Sequence, residues 1–358
     1  MRRCRNKPVV LILIIITLAS LLASPAFAAP GVRDYLNKPD EWYRSEAATR
    51  IADNVVSHQS NYGNWPKNLD TTSTPYTGDP ANINGTFDNG ATVGEMRFLA
   101  RMHKATQNPR YQIAFLKGFN HILEAQYPTG GWPQSYPLSR QYHRHITFND
   151  NTMVGLMQLL REMATAKQYD FLDVGQRKAA SDSFARGIQC ILKSQIKVNG
   201  KLTAWCAQHD EKDYSPRPAR TYELASLSGS ESVGIVRLLM SLDDPTPEII
   251  QSIQSAMTWF EAAKLPGIKI VKQKDNDAEQ GYDTVVVKDP TAPPMWARFY
   301  EIGTNKPIYS SRDGVAKSNL ADISYERRNG YAWLGYWPQT LVGKEYPAWK
   351  TKWAARIK

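Results

Sequence analysis

Apolar residues recur with a helical period in three long stretches, about residues 40–59, 109–126 and 172–195, and each stretch closes on a glutamine: Gln59, Gln126 and Gln195. A glycine–tryptophan turn follows each one: Gly63-Asn64-Trp65-Pro66, Gly130-Gly131-Trp132-Pro133 and, more loosely, Gly200 with Trp205. Such turns stop a helix. A second kind of helix opens on a Val-Gly pair, at Val93-Gly94, Val154-Gly155 and Val233-Gly234. The order is therefore helix, Gly-Trp loop, long polar loop, Val-Gly helix, three times over. One more helix is predicted over about 246–263, with Pro247 near its start and Trp259-Phe260 on its apolar side. Strand-like alternation is sparse and short, as in Ile268–Val271 and Thr284–Val287.

Helical pairs that repeat about every 60–80 residues must bury their faces against neighbouring copies. Three irregular copies without polar end caps favour closure over an open stack. The expected fold is therefore dominated by α-helix: an (α/α)3 toroid with the Val-Gly helices as its inner ring. After residue 265 the helical period fades, and irregular loops and short strands are expected to form a wall or lid against the ring, with no linker and no separate domain. Closure would gather the residues just ahead of the three Val-Gly helices at one rim.

Those residues carry the chemistry. Thr86-Phe87-Asp88-Asn89-Gly90 precedes the first Val-Gly helix and Thr147-Phe148-Asn149-Asp150-Asn151 the second. Counted back from the shared glycine, Asp88-Asn89 and Asn149-Asp150 fill the same two positions, and the third copy adds Ser228-Gly229-Ser230-Glu231. Each pair by itself reads as an ordinary helix cap. The duplication instead points to an oxygen-rich pocket suited to a hard cation or to acid/base work.

The chain begins with a basic segment containing Arg2, Arg3, Arg5 and Lys7, then an apolar run from Val9 to Ala23, then Pro25-Ala26-Phe27-Ala28. This is the pattern of a signal peptide over residues 1–28, cleaved after Ala28, rather than of a membrane anchor. Residues 29–358 are then expected as one exported, soluble domain that no longer touches a membrane, and a monomer. Loss of the four basic residues lowers the formal net charge from +10 to +6. A basic secreted protein suits a polyanion. No Lys/Arg block of the kind found in nucleic-acid arms is present, so an acidic polysaccharide is favoured over nucleic acid. The abundance of Trp and Tyr fits stacking on sugar faces, and equally fits an aromatic core.

Three arginine motifs stand beside the acidic pairs: Arg217-Pro218-Ala219-Arg220-Thr221-Tyr222-Glu223, Trp296-Ala297-Arg298-Phe299-Tyr300-Glu301 and Ser311-Arg312-Asp313-Gly314. A guanidinium fork holds a carboxylate with two parallel bonds. The same arginines could instead pair with Glu223, Glu301 and Asp313. His143-Arg144-His145 reads as a capping or surface cluster. Cys190 reads as a buried thiol, and an exported setting also permits a Cys190–Cys206 disulfide.

Taken together, the motifs at 86–92, 147–151, 220–232, 296–301 and 311–314 resemble the family 10 polysaccharide lyases that act on pectate, over roughly residues 35–350. The resemblance implies a three-repeat toroid, dependence on Ca²⁺ and cleavage of polygalacturonate by β-elimination to unsaturated oligogalacturonides. It implies Asp88, Asn89 and Asp150 at the calcium and catalytic centre, Arg220 and Arg298 on substrate carboxylates with Tyr222 beside them, and Arg312 as the base. The residues alone leave two rivals: a toroidal glycoside hydrolase using Asp88 and Asp150 as acid and base, and a non-catalytic binder of acidic glycans.

Overall fold

The structure, a computed structural model, describes residues 31–356. The expected signal peptide and Cys4 lie outside the described residues. Seven main helices follow the periodic stretches: α1 Glu46–Ser57, α2 Val93–Thr106, α3 Pro109–Ala125, α4 Thr152–Thr165, α5 Val174–Ser194, α6 Glu231–Met240 and α7 Pro247–Ala262. The first expected stretch begins instead as a 3-10 turn, Asp40–Arg44. Short helices α8 Tyr325–Gly330 and α9 Tyr346–Lys352 close the chain.

Helices α1, α3, α5 and α7 start on side-chain caps: Ser45, Asn108, Asp173 with Gln176 in a capping box, and Thr246. The Val-Gly helices pack in series, α2 on α4 and α4 on α6, while α3 backs α2, α5 backs α4 and α7 backs α6. The buried apolar residues make one continuous cluster from Val32 to Trp349.

The glutamines and tryptophans identified in the sequence are the ties of this repeat. Gln59 Nε2 donates to Gly63 O and to Ala114 O of α3. Gln126 Nε2 donates to Gly130 O and to Ser183 O of α5. Gln195 Nε2 donates to Thr203 O and to Ser252 O of α7. Each therefore bridges its own turn to the next capped helix, satisfying carbonyls that burial would otherwise orphan. The indole N–H groups of Trp65, Trp132 and Trp205 donate to Val55 O, Ile122 O and Ile191 O near the end of the preceding helix.

A fourth station completes the series. Trp296 is equally buried, and its indole donates to Phe260 O of α7 at 2.8 Å. A hairpin of Ile268–Lys274 against Tyr282–Lys288 separates it from α7, which hides the equivalence in the sequence. The strand runs expected at 268 and 284 are the two arms of this hairpin. Other sheets among the described residues have two or three very short strands.

The backbone after Trp132, Trp205 and Trp296 receives the rim of the preceding copy. Phe87 N donates to Gln134 O, Phe148 N to Ala207 O and Gly229 N to Arg298 O, at 3.0, 2.8 and 2.9 Å. Each acceptor lies two residues past its tryptophan. The rim is thus fixed by main-chain bonds, and the side chains at these stations are free to carry chemistry.

Candidate active site

The two duplicated loops fold alike. Asp88–Gly90 and Asn149–Asn151 are single 3-10 turns that pack against each other. Phe87 and Phe148 anchor them, both fully buried. In each, the second polar residue is left-handed, Asn89 at φ 52° and Asp150 at φ 51°, a conformation that Asn and Asp tolerate best after glycine. Asp88 and Asp150 do not cap helices: the N-caps of α2 and α4 are Thr92 and Asn151.

Asp88 is buried and ion-pairs with Lys67 Nζ. Asp150 keeps a side chain 41% exposed, takes a hydrogen bond from Asn149 Nδ2 at 2.7 Å, and lies 3.9 Å from Arg298. Glu231, 2% exposed at the start of α6, pairs with Arg298 Nη2 at 2.9 Å and accepts from Ser228 Oγ. Partial burial, then the negative fields of Glu231 and Asp88, push the Asp150 carboxyl above its ordinary range despite Arg298. Three carboxylates therefore converge on two cations, a surplus of negative charge at one point of the rim.

The arginines gather beside this cluster around two tyrosines. Arg220 lies over Tyr222 and Tyr331, with centroid distances of 4.9 and 5.6 Å. Arg298 lies over Tyr331 at 5.0 Å, and Arg312 over Tyr222 at 5.7 Å. Arg220 is gripped by Glu223 through Nε and Nη2, which raises its pKa. Arg298 is also raised, burial opposing but Glu231, Tyr331 and Asp150 prevailing. Its Nε is buried without a hydrogen-bond partner. Arg312 is 65% exposed and pairs with Glu326 at 3.0 Å, not with Asp313. Tyr222, expected beside the substrate, is buried beneath the guanidinia of Arg220, Arg312 and Arg327, so its ring supports arginines rather than facing solvent.

A family model described as pectic acid lyase matches residues 59–342. The chain belongs to that family. Membership places it among the pectate lyases as an enzyme. A solved family 10 polysaccharide lyase from Cellvibrio cellulosa is 38% identical, with a TM-score of 0.76, covering 88% of this chain and 95% of its own. An Asp-to-Ala mutant of the Cellvibrio cellulosa family 10 lyase, in complex with trigalacturonic acid, is likewise 38% identical with a TM-score of 0.75, covering 88% and 96%. No curated protein matches the chain.

Of the residues named from the sequence of this pectic acid lyase family member, the structure gathers Asp88, Asp150, Arg220, Arg298 and Arg312 in this region, with Asn89 in the Asp88 turn, and beside them stands one the sequence reading did not single out, Lys67. Its signal was the tryptophan register: Lys67 follows Trp65, and Arg298 follows Trp296, by two residues. Of the acids named as possible arginine partners, Glu223 does pair with Arg220, whereas Arg312 takes Glu326, which was not among them. His143 belongs to the site's edge: the fields of Asp88 and Arg220 both reach it and Tyr142. Cys190 and Cys206 are both buried free thiols, so the permitted disulfide is not formed. Burial pushes the Cys190 thiol up to about 12.

Among the described residues, one group brings His, Asp and Glu ligand atoms within 4.8 Å of one another: His145, Asp210 and Glu211. It is neutralised internally, because Glu211 takes Arg144 and His145 while Asp210 takes Arg217. A cleft of about 720 Å³ lined by the hairpin contains none of the site residues; its Asp283 and Arg328 pair with each other.

Proposed function

We propose that the chain is a secreted, calcium-dependent pectate lyase that cleaves α-1,4-linked polygalacturonate by β-elimination, acting as a monomer with residues 29–358 as one catalytic domain. The observation that carries this reading is the meeting of Asp88, Asp150 and Glu231 with Arg298 in a ring of arginines, in a family whose solved relative holds trigalacturonic acid. The architecture belongs to the same reading: α2, α4 and α6 in series, backed by glutamine-tied outer helices, support an (α/α)3 toroid. Among the described residues no helix is long and apolar enough to cross a membrane.

The donor set fits Ca²⁺. Asp88, Asn89 and Asp150 offer hard oxygens and no soft ligand, and behind burial the negative fields of Glu231 and Asp88 at Asp150 are ones a bound cation would offset. These residues would hold the ion, which supplies positive charge against the carboxylate of the reacting uronate.

Elimination removes the proton on C5, next to the carboxylate, breaks the bond from C4 to the glycosidic oxygen and forms the C4–C5 double bond; the departing oxygen takes up a proton. Negative charge builds on the substrate carboxylate as the proton leaves. Arg298 and Arg220 supply positive charge in fixed places against it. Arg312 is assigned as base. Arg220 and Arg298 are each gripped by a buried glutamate that keeps them protonated, whereas the Arg312 pair with Glu326 is exposed and weakly held. A second assignment, Arg220, has its own support: it shares the neighbours Tyr142 and His143 with Asp88, across the acidic cluster.

Incubation with polygalacturonate tests the function. A lyase yields an unsaturated, UV-absorbing product. Saturated reducing ends alone would indicate a hydrolase, and retention without cleavage a binder; either would overturn the proposal.

A further inference from the structure

The geometry points to Arg33 as a positioning residue for the cation site: its guanidinium holds the Asn89–Gly90 turn from outside. This inference rests on the calcium reading above. It concerns a segment that lies before the matched family region, residues 59–342.

The segment Val32–Tyr35 is a 3-10 turn laid across the start of α2. Gly31 N donates to Asp34 Oδ2 at 3.1 Å and Asp34 N to Gly31 O at 3.0 Å, which closes the turn on itself. Its far end is anchored. Tyr35 stacks on Trp42 at 5.5 Å, the Tyr43 hydroxyl donates to Tyr35 O at 2.6 Å, and Arg101 donates to Leu36 O. Its near end is seated as well. Val32 is buried, and a Cβ on Gly94 would come within 3.0 Å of Val32 Cγ1. The position of Arg33 between these anchors is therefore fixed by packing.

From there Arg33 Nη2 donates to the carbonyl of Asn89. The next residue, Gly90, sits at φ 70°, and a Cβ there would collide with the Arg33 guanidinium. The site thus contains two consecutive left-handed residues, Asn89 and Gly90, with a cation clamped on the peptide between them. The second copy solves the same problem differently. Asp150 and Asn151 are both left-handed, and the Asn151 side chain packs where a Cβ of Gly234 on α6 would lie. The following repeat steadies that loop, while the N-terminal segment reaches over to steady the first. Asn tolerates the left-handed region but does not prefer it, so without a clamp the Asn89 turn would sample other conformations and its side chain would leave the cation.

Calcium titration of the full chain, by calorimetry and by melting temperature against Ca²⁺, tests this in Arg33→Ala, Arg33→Lys and the wild type. The expected result is calcium affinity about 10-fold weaker in Arg33→Ala, with much of it restored in Arg33→Lys, which keeps a donor for the carbonyl. At saturating calcium kcat should stay close to wild type while the calcium needed for half-maximal rate rises. Equal affinity in Arg33→Ala and wild type overturns the inference, including when the melting temperature alone falls, because that is the mark of a merely structural residue. Wild-type protein that takes up no calcium, with or without trigalacturonate, overturns the calcium reading and this inference with it. Val32→Ala serves as a control for general loosening of the segment: if it weakens calcium binding as much as Arg33→Ala, the clamp is not the guanidinium and the inference fails.

Discussion

Lys67 and Arg298 hold the same station in the repeat. Each follows a buried tryptophan by two residues, and each ion-pairs with a buried carboxylate of the rim, Asp88 for Lys67 and Glu231 for Arg298. The acidic cluster is therefore flanked by cations from the first and fourth tryptophan stations, and main-chain bonds set by the fold hold the fourth.

Removing Arg298 should cost stability as well as activity. Arg298→Ala leaves Glu231, 2% exposed, as an uncompensated buried charge, and breaking such a pair costs about 3 kcal/mol or more. Combining it with Glu231→Gln should restore part of that loss but not turnover. Urea unfolding of the two single variants and the double variant measures the coupling.

Turnover should vanish with a chelator and return with added Ca²⁺. The donors Asp88, Asn89 and Asp150 are hard oxygens, so soft metals should restore it poorly. Formation of the UV-absorbing product in EDTA, then with a series of cations, is the measurement. Full turnover in excess EDTA, in metal-free protein, would contradict the assignment.

Asp88→Asn and Asp150→Asn should both fold and both lose turnover by about 100-fold or more. Asn keeps the shape and, at position 150, tolerates the left-handed backbone that Ala would strain. Circular dichroism checks the fold, and initial rates check the loss. Near-wild turnover in either variant would move the site elsewhere.

If Arg312 is the base, Arg312→Lys should fail nearly as badly as Arg312→Ala, by about 100-fold or more in kcat. The ammonium reaches a different point and lacks the planar fork. Arg220→Ala should then chiefly raise KM. If Arg220→Ala instead abolishes kcat while Arg312→Ala raises KM, the base is Arg220. In either case the rate should climb into alkaline pH, since losing a guanidinium proton becomes easier there.

Glu95 should make the protein less stable as pH rises from about 4.5 to 7. It is buried at the start of α2 with Oε2 lacking a partner, and burial pushes its carboxyl up to about 7. In that window the unfolded chain has released this proton and the native chain still holds it, so stability falls with rising pH and levels off above about 7. The cost at pH 8 is about 3 kcal/mol. Glu95→Gln should flatten the decline in melting temperature between pH 5 and 8. An unchanged decline would show that Glu95 is ionised at little cost.

Much of this was legible in the sequence. The glutamine and tryptophan of each repeat were visible because they recur at nearly constant spacing, and each makes the same two or one hydrogen bonds in every copy. The fourth tryptophan was not visible, because the hairpin at 268–288 separates Trp296 from its helix. Lys67 was missed for a related reason: its meaning lies in its match to Arg298, and that match requires the fourth copy to be seen. The resemblance implied Tyr222 beside the substrate, yet three guanidinia cover its ring.

The sequence by itself determined the helices, their order and the two duplicated loops. Helical periodicity, capping residues and left-handed tolerance are local properties, fixed within a turn or two of chain. It also determined which residue types would meet at the rim, since the repeat places equivalent positions together. Only the tertiary structure decided which charge faces which. Arg298 meets Glu231 across 67 residues of chain and Arg312 meets Glu326 in place of its neighbour Asp313. Coulomb energy follows distance in space and the local dielectric, and neither can be read from spacing along the chain.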